Sequence, residues 1–444
     1  MNEFWHSDDK EYKYRILVYP NITFQKSLEK DSFVVVLHNV IRVMNQLRDD
    51  IHWTILTPYK TPSLQFENTE QRILPMPSYP NSMRTHFNVF DLDSVIDWKN
   101  EDFDVVYSHL PEHTLQLKNY FSNRTNIRPK FIGYCHWYEV KENTGYTETM
   151  FLANVAGMLK MDTCGVNSEW LKSLVLERAS KYYNNSVIKK LNRIIQPHYL
   201  GVDTIDIPDD EPTHRKILFN HRNNGYTGWS WFIEEMEKLY DERTDFDVRT
   251  TLINPSKEAA QFASRERIDD RIEYLDFLKG IFCGVGCFGK YSAWSISTTD
   301  GLSRGVPYIL PRGLCYPEMV GSDYPLLYDT KEEFIGHIKN LLDNPELREQ
   351  IKNDYVRPIA ESLLWESTVP KWFNNWEVLD SFDGGKHTNT YDKVKNFIMA
   401  RGSVTKKQIL EMLRWGKTFS FQKYRNLLRD DPDIILTEWG YKRR

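Results

Sequence analysis

Cysteine is scarce in this chain: five among 444 residues, at Cys135, Cys164, Cys283, Cys287 and Cys315. A sparse, odd-numbered set excludes a disulfide framework of the kind that staples small secreted domains. Cys283 and Cys287 are spaced C-x3-C with no histidine partner nearby, which argues against a zinc site. Buried free thiols in a reducing cytoplasm are the expectation. Long apolar runs are also missing. "FVVVL" is among the longest, whereas crossing a bilayer takes about 20 apolar residues, so no membrane partner is expected. The opening "MNEFWHSDDKEYKYR" is polar and acidic, and no secretory leader is expected there. No short-period repeat and no low-complexity segment is visible.

What is present fits a globular protein of two or three domains: 41% hydrophobic and 27% charged residues over 444 positions. Aromatics are plentiful, at 13 Trp, 25 Tyr and 23 Phe. They serve core packing or stacking on sugars and bases, and the count does not choose between these. Net charge is −5 but uneven. From Tyr391 to Arg444 there are 13 Lys+Arg against 6 Asp+Glu, or +7, which leaves −5 − 7 = −12 on the remainder. A basic tail on an acidic body points to an anionic partner for the tail.

The first half alternates short β-rich runs with helical patterns. "YRILVYP", "IHWTILTP", "FDVVYSHLP", "KFIGYCHWYE" and "DTCGVNS" read as strands, and "SFVVVLHNVIRVMNQLRD" as a helix. "SEWLKSLVLERASKYY" reads as a helix capped by Ser168. After a polar stretch, "IPDDEPTHR", the alternation restarts. "KILFNHR", "DFDVRTTLINP", "RIEYLDFL" and "CGVGCFG" are strand candidates, and "GWSWFIEEMEKLYDE" and "TKEEFIGHIKNLLDNPELREQIKND" are helical. This is an α/β pattern with two parallel sheets, in which ligands bind at the carboxyl ends of strands. The expected division is 1–207, 208–350, closing helices over 351–383 and a module over 384–444. In that last stretch "YDKVKNFIMA", "TKKQILEMLRW" and "SFQKYRNLLRD" read as helices and "DIILTEWGYKRR" as a hairpin. Thr405 and Gln408 have capping-box spacing. Three helices and a hairpin match a winged-helix module.

The segment "STTDGLSRGVPYILP", Ser297 to Pro311, places one acid, Asp300, before two glycines and an apolar strand. Alone, Asp300 is ambiguous, and an acid stabilised by a helix N-terminus is the usual explanation. In context the run resembles the donor-domain signature of retaining GT-B glycosyltransferases: a glutamate, seven residues, a second glutamate, then a helix ending in Gly-Val-Pro. Asp300 holds the second acidic position and Gly305 to Pro307 supplies the Gly-Val-Pro. The resemblance implies a GT-B fold, two Rossmann-like domains across a cleft, and a nucleotide-sugar donor, UDP- or GDP-linked, with no metal required. It implies that Asp300 accepts from the ribose hydroxyls and that Gly301 and Leu302 lie along the diphosphate-facing helix. The first acidic position falls on Ser292. "ILFNHRNNGYTGW" is similar to the strand and loop that open the donor domain, so Arg222 would neutralise the leaving diphosphate; a surface salt bridge is the other reading of that arginine. Tyr226 and Thr227 stand where the family carries a lysine, which implies either weaker stabilisation of the leaving group or a substitute cation such as Lys290 or Arg304. "GLCYPEMVG" resembles the loop near the donor sugar, with Glu318 in the family's position. "IIQPHYLGVD" and "SLLWESTVPKWFNNWEVL" resemble the end of the first domain and the closing helices, so the likeness spans about residues 13 to 380.

His136, ending the strand "GYCHWYE", reads as an acceptor-pocket residue by the resemblance or as a hydrogen-bonded core histidine. The loop after the first strand, "YPNITFQKSLEKDS", lacks the family's glycines. The Asp-x-Asp runs at Asp91–Asp93 and Asp431–Asp433 read as solvated acids or caps rather than metal ligands. Retaining enzymes of this kind are expected to act by stabilising the departing diphosphate.

In the tail, Phe421, Tyr424, Leu427 and Leu428 share one helical face. Lys423, Arg425, Asn426 and Arg429 lie opposite, and Lys442 and Arg443 end the hairpin; these residue types reach phosphates and base edges. A cationic cap docked on the acidic body is the other reading. A sugar-transfer body with a winged-helix tail resembles phage enzymes that glycosylate hydroxymethylated pyrimidines in DNA, which need the base extruded from the duplex. Double-stranded DNA is then the expected partner, and the cytoplasm, that of the host for a phage protein, the expected location. Two alternatives stay open: a cytoplasmic glycosyltransferase acting on a polysaccharide, lipid carrier, protein or tRNA, and a catalytically inactive DNA-binding regulator.

Overall fold

A computed structural model describes residues 12–22, 28, 31–77, 82–124, 128–135, 145–222, 225, 227–268, 270–286 and 291–376, and within the C-terminal segment 395, 398–399, 401, 403–405, 408–409, 428, 432–437 and 440–443. Packing divides the chain into two units: 1–165 with 185–195 and 370–444, and 166–184 with 196–369. No helix among the described residues is long and apolar enough to cross a membrane.

The first sheet has seven strands: β1 (Tyr14–Tyr19), β2 (Ile51–Pro58), β3 (Thr69–Leu74), β4 (Val105–Ser108), β5 (Lys130–Cys135), β6 (Thr163–Val166) and β7 (Ile195–Pro197). Their order is β3-β2-β1-β4-β5-β6-β7, and β1 pairs in parallel with both β2 and β4. In β1 every side chain but Arg15 is buried, as a central parallel strand requires. Helix α1 (Ser32–Leu47) begins with β-branched residues of modest helix propensity. Burial decides the contest: Phe33, Val36, Leu37, Val40, Ile41 and Met44 are all buried. Asp31 caps it by accepting from the amides of Phe33 and Val34. Then come α2 (Thr114–Arg124), α3 (Gly145–Met158), α4 (Glu169–Ser180) and α5 (Asn185–Ile194). Ser168 caps α4 as expected, accepting from Leu171.

The second sheet has six strands, β8 (Lys216–Phe219), β9 (Asp247–Thr250), β10 (Ala263–Arg265), β11 (Cys283–Val285), β12 (Tyr308–Pro311) and β13 (Leu327–Tyr328). Their order is β10-β9-β8-β11-β12-β13, with parallel pairing throughout. Between them run α6 (Trp229–Glu242), α7 (Arg271–Lys279), α8 (Ile296–Leu302) and α9 (Tyr316–Val320), and after β13 come α10 (Lys331–Asp343), α11 (Pro345–Ile351), α12 (Arg357–Ser362) and α13 (Trp365–Asn375). "RIEYLDFL", expected as a strand, is helix α7. Asp270 explains the difference: its carboxylate accepts from the amides of Ile272 (2.8 Å) and Glu273 (3.0 Å), an N-cap that commits the run to helix. Gly305 takes a left-handed φ of +81°, which lets the chain turn out of α8 and into β12.

The segment before this sheet belongs to the same unit. Val202 exchanges backbone hydrogen bonds with Leu363 (2.8 Å) and Trp365 (3.2 Å). A Cβ at Gly201 would lie 2.6 Å from the Trp365 ring. Glu211, within the turn-rich stretch, pairs with Lys352 at 2.6 Å and also with Arg348; both cations are 3% exposed.

In the C-terminal segment β14 (Ser403–Val404), β15 (Ile434–Thr437) and β16 (Gly440–Arg443) form an antiparallel sheet in the order β14-β16-β15. The expected hairpin is β15–β16. The expected capping box is present: the Thr405 amide donates to Gln408 Oε1 (2.8 Å), and the Gln408 amide to Thr405 Oγ1 (3.2 Å). Cys135, Cys164, Cys283 and Cys315 are buried thiols.

Candidate functional site

Strand order in the second sheet reverses between β8 and β11. The carboxyl ends of strands at such a reversal leave a crevice where α/β folds bind ligands. Asn220, His221 and Arg222 follow β8 directly. Asn220 is buried and its Nδ2 donates to the Ser297 carbonyl (2.9 Å), Tyr274 Oη (2.8 Å) and Tyr308 Oη (3.1 Å). His221 bridges the reversal, with Nε2 2.8 Å from the Val285 carbonyl and Nδ1 3.2 Å from Ser297 Oγ. A carbonyl only accepts, so the proton sits on Nε2 and Nδ1 accepts from the serine hydroxyl. Burial pulls the pKa of His221 down to about 4 against the Val285 bond, which keeps the ring neutral.

Asp300 is 4% exposed and lies in the last turns of α8, not at its start. Both carboxylate oxygens accept from Arg271, at 2.6 and 2.7 Å. This is the bidentate fork that guanidinium and carboxylate geometry favours. Burial pushes the Asp300 carboxyl above its usual range, and Arg271 opposes that push. Asp300 was expected to face a ribose diol; in this structure its hydrogen bonds go to Arg271.

The other expected residues fall as follows. Gly301 and Leu302 end α8, so their amides are not the free ones of its first turn. A Cβ on Gly301 would lie 2.3 Å from the Tyr308 ring and one on Gly284 2.4 Å from it, so both glycines make room for that buried tyrosine. Leu302 is wholly buried in the hydrophobic core. Ser292 is buried, its Oγ 3.6 Å from Cys315 Sγ. Thr227 closes the loop after β8 by donating from Oγ1 to the Arg222 carbonyl (2.7 Å). The Arg222 side chain is exposed and makes no ion pair among the described residues. Glu318, expected near a donor sugar, accepts from the amides of Glu169 (2.8 Å) and Trp170 (3.2 Å) and so caps α4. Burial nonetheless raises its pKa. Arg304, a candidate substitute cation, is 5% exposed and bonded to Thr204 and Ser303. Lys442 is exposed on β16, and Arg443 ends that strand. His136, Tyr226, Lys290, Lys423, Arg425, Asn426 and Arg429 lie outside the described residues.

Sequence reasoning missed Arg271, Asn220 and His221. For the last two a signal existed, since "NHR" sits where a strand ends at its carboxyl side. Arg271 gave none, because its partner is 29 positions away. A second polar set was missed in the first unit, where strand order reverses between β1 and β4. There Tyr19 Oη donates to the Met83 carbonyl (2.6 Å), and Glu112 accepts from Arg84 and from Asn154 Nδ2 (2.7 Å). His113 stacks on Phe87 at 4.5 Å, and burial lowers its pKa to about 4.

No protein-family model matches the chain, and no curated protein matches it in sequence. Solved structures do match. Sucrose-phosphate synthase from Thermosynechococcus elongatus aligns with a TM-score of 0.60 at 12% identity, over 81% of this chain and 98% of that one. HepE of Anabaena, in complex with UDP and glucose, aligns with a TM-score of 0.57 at 9% identity, over 82% and 100%. The α,α-trehalose 6-phosphate synthase of Burkholderia multivorans gives 0.56 at 9% identity, over 82% and 98%. At these identities the likeness establishes the fold: two parallel-sheet α/β domains of the GT-B type, with a small antiparallel sheet at the C-terminal end.

Proposed function

We propose that this protein is a retaining, metal-independent glycosyltransferase that moves a sugar from a nucleoside diphosphate onto a hydroxyl, with hydroxymethylated pyrimidine in DNA as the acceptor. The observation that carries the reading is the placement of Arg222. It is an exposed cation without an ion pair among the described residues, at the carboxyl end of β8, where the sheet reverses. The backbone beneath it is fixed by the His221 and Asn220 bonds and by Thr227. An arginine anchored at this point through its backbone is placed to stabilise the negative charge that develops as a diphosphate departs, and such electrostatic terms are among the largest in catalysis. The fold neighbour HepE is solved with UDP and glucose, which supports a nucleotide-sugar donor.

The DNA acceptor rests on the tail. Its strand order β14-β16-β15, with helical residues before and after β14, supports a winged-helix reading, and Lys442 offers an exposed cation on the hairpin. A second reading, the catalytically inactive DNA-binding regulator, is favoured by the engagement of Asp300 with Arg271 and by the buried serine at position 292. The deciding experiment is mass spectrometry of hydroxymethylated duplex DNA incubated with the protein and a panel of UDP- and GDP-sugars. A mass increase of one sugar residue supports transfer to DNA. Nucleotide release without DNA modification moves the acceptor to a polysaccharide, lipid carrier, protein or tRNA. Neither release nor modification with any donor, alongside retained DNA binding, overturns the enzyme reading in favour of the regulator.

A further inference from the structure

The proposed reading gives the diphosphate one cation, Arg222, and no lysine follows it at positions 226 and 227. Arg304 is not free to add a second, because its guanidinium is buried and donates to Thr204 and Ser303. Arg271 differs from it. Its side chain is 50% exposed while that of Asp300 is 5% exposed, so the guanidinium is the part of the pair that a ligand can reach. A guanidinium has five N–H donors. Two are used on Asp300, and Arg271 makes no further hydrogen bond among the described residues, so 5 − 2 = 3 donors remain.

The position of Arg271 ties it to the sheet reversal. Tyr274, one turn further along α7, accepts at Oη from Asn220 Nδ2 (2.8 Å), and Asn220 is two residues from Arg222. The Arg271 guanidinium also lies 5.7 Å from the centroid of the Tyr274 ring. The carboxylate behind it fixes the plane of the fork, so the remaining donors are preorganised rather than carried on a freely moving side chain. A carboxylate at this point would select a diol, which donates; a guanidinium selects an acceptor-rich anion.

We propose that Arg271 is a second anion-binding side chain of the donor site, with Asp300 as the residue that positions it, and that its ligand is the diphosphate of the nucleotide. This rests on the nucleotide-sugar reading above. The ion pair is neutral as a whole, so Arg271 contributes directed donors rather than net charge, and a contribution of about tenfold in affinity is expected.

Two variants test it. Arg271→Lys keeps the charge and loses the fork. Arg271→Leu combined with Asp300→Asn removes both charges and leaves no buried carboxylate unpaired. Circular dichroism and melting temperature establish that each is folded. Calorimetry then measures binding of UDP, GDP, the matching nucleosides and inorganic pyrophosphate. The double variant is expected to lose about tenfold in affinity for a nucleoside diphosphate and for pyrophosphate, and less than twofold for the nucleoside, with Arg271→Lys between it and wild type. Unchanged or tighter diphosphate binding by the double variant overturns the proposal, and the tighter case would make Arg271 a cover that the ribose diol displaces. Equal loss for nucleoside and diphosphate also overturns it. Arg271-dependent pyrophosphate binding without any nucleotide binding would sustain the proposal and sink the nucleotide-sugar reading. Nucleotide binding indifferent to both variants would do the reverse, and a wild-type protein that binds none of these probes counts against both.

Discussion

Replacing Gly301 with alanine tests how tightly the site is built. In an ordinary helix interior this change gains about 1 kcal/mol, because alanine restricts the unfolded chain and favours the helix. Here the new methyl would stand 2.3, 2.4 and 2.7 Å from Cε2, Oη and Cζ of Tyr308, well inside contact distance. The ring has nowhere to retreat: it is 0% exposed, and the Cβ position of Gly284 already lies 2.4 Å from its other edge. Overpacking of a filled core costs about 1–3 kcal/mol. Displacing the ring also disturbs two hydrogen bonds at its hydroxyl, from Asn220 Nδ2 and to the Ser297 carbonyl (both 3.1 Å), worth about 1 kcal/mol each. Gly301→Ala is therefore expected to destabilise the second unit by about 2–4 kcal/mol, net of the propensity gain. Urea denaturation of the full chain, followed through the transition of this unit, measures the loss. The control is the same substitution in a Tyr308→Val background, where the clash is absent and the change should be neutral or stabilising. Gly301→Ala as stable as wild type with Tyr308 in place would refute the packing argument, and with it the structural explanation for both glycines.

Other outcomes follow from the same geometry. Glu211→Ala strips the carboxylate from two cations that are each 3% exposed; because Glu211 itself is 30% exposed, the loss is set at about 2–3 kcal/mol, read as a lower urea midpoint. Stability is expected to fall as pH drops from about 6.5 towards 4. His221 and His113 have folded pKa values lowered to about 4, so the unfolded state takes up protons first, and each contributes up to about 3 kcal/mol that is present above pH 6.5. Urea midpoints at pH 7 and 4.5 check this, and His221→Asn should flatten the slope. Arg222→Ala should leave the melting temperature within a degree or two of wild type, since its side chain makes no ion pair among the described residues, yet lower turnover about 10²–10³-fold in the donor assay. A matching loss of stability would reassign Arg222 to a structural role.

Features set by neighbours in sequence were readable in advance. β1 and β2 follow from apolar runs bounded by turns, the α4 cap from Ser168, and the tail's capping box from Thr405 and Gln408 three positions on. Where two local signals competed, the reading failed: "RIEYLDFL" has strand-like content, and the aspartate just ahead of it settled the matter as an N-cap. Weakly apolar edge strands such as β3 and β10 left no pattern to find. The site was legible as a place, since "NHR" and "STTDG" sit beside the β8–β11 reversal. Its wiring was not legible. What an aspartate at position 300 or a glutamate at position 318 bonds to depends on residues 29 and 149 positions away, and pairing at that range is set by topology rather than by local composition.

The backbone exchange of Val202 with Leu363 and Trp365 also bears on how this chain can be cut. A fragment meant to carry the second sheet alone would need residues 166–184 and everything from about 196 onward, because Thr204 and Ile207 are internal to it: the first receives Arg304 and the second packs against Gly305. Started at residue 208, the same fragment would leave Arg304 without its two Thr204 acceptors and uncover the Trp365 ring against which Gly201 lies. Separate expression of the two fragments on either side of such a cut should then yield a sticky, protease-sensitive product that recovers only when the segments missing from its unit are supplied in trans.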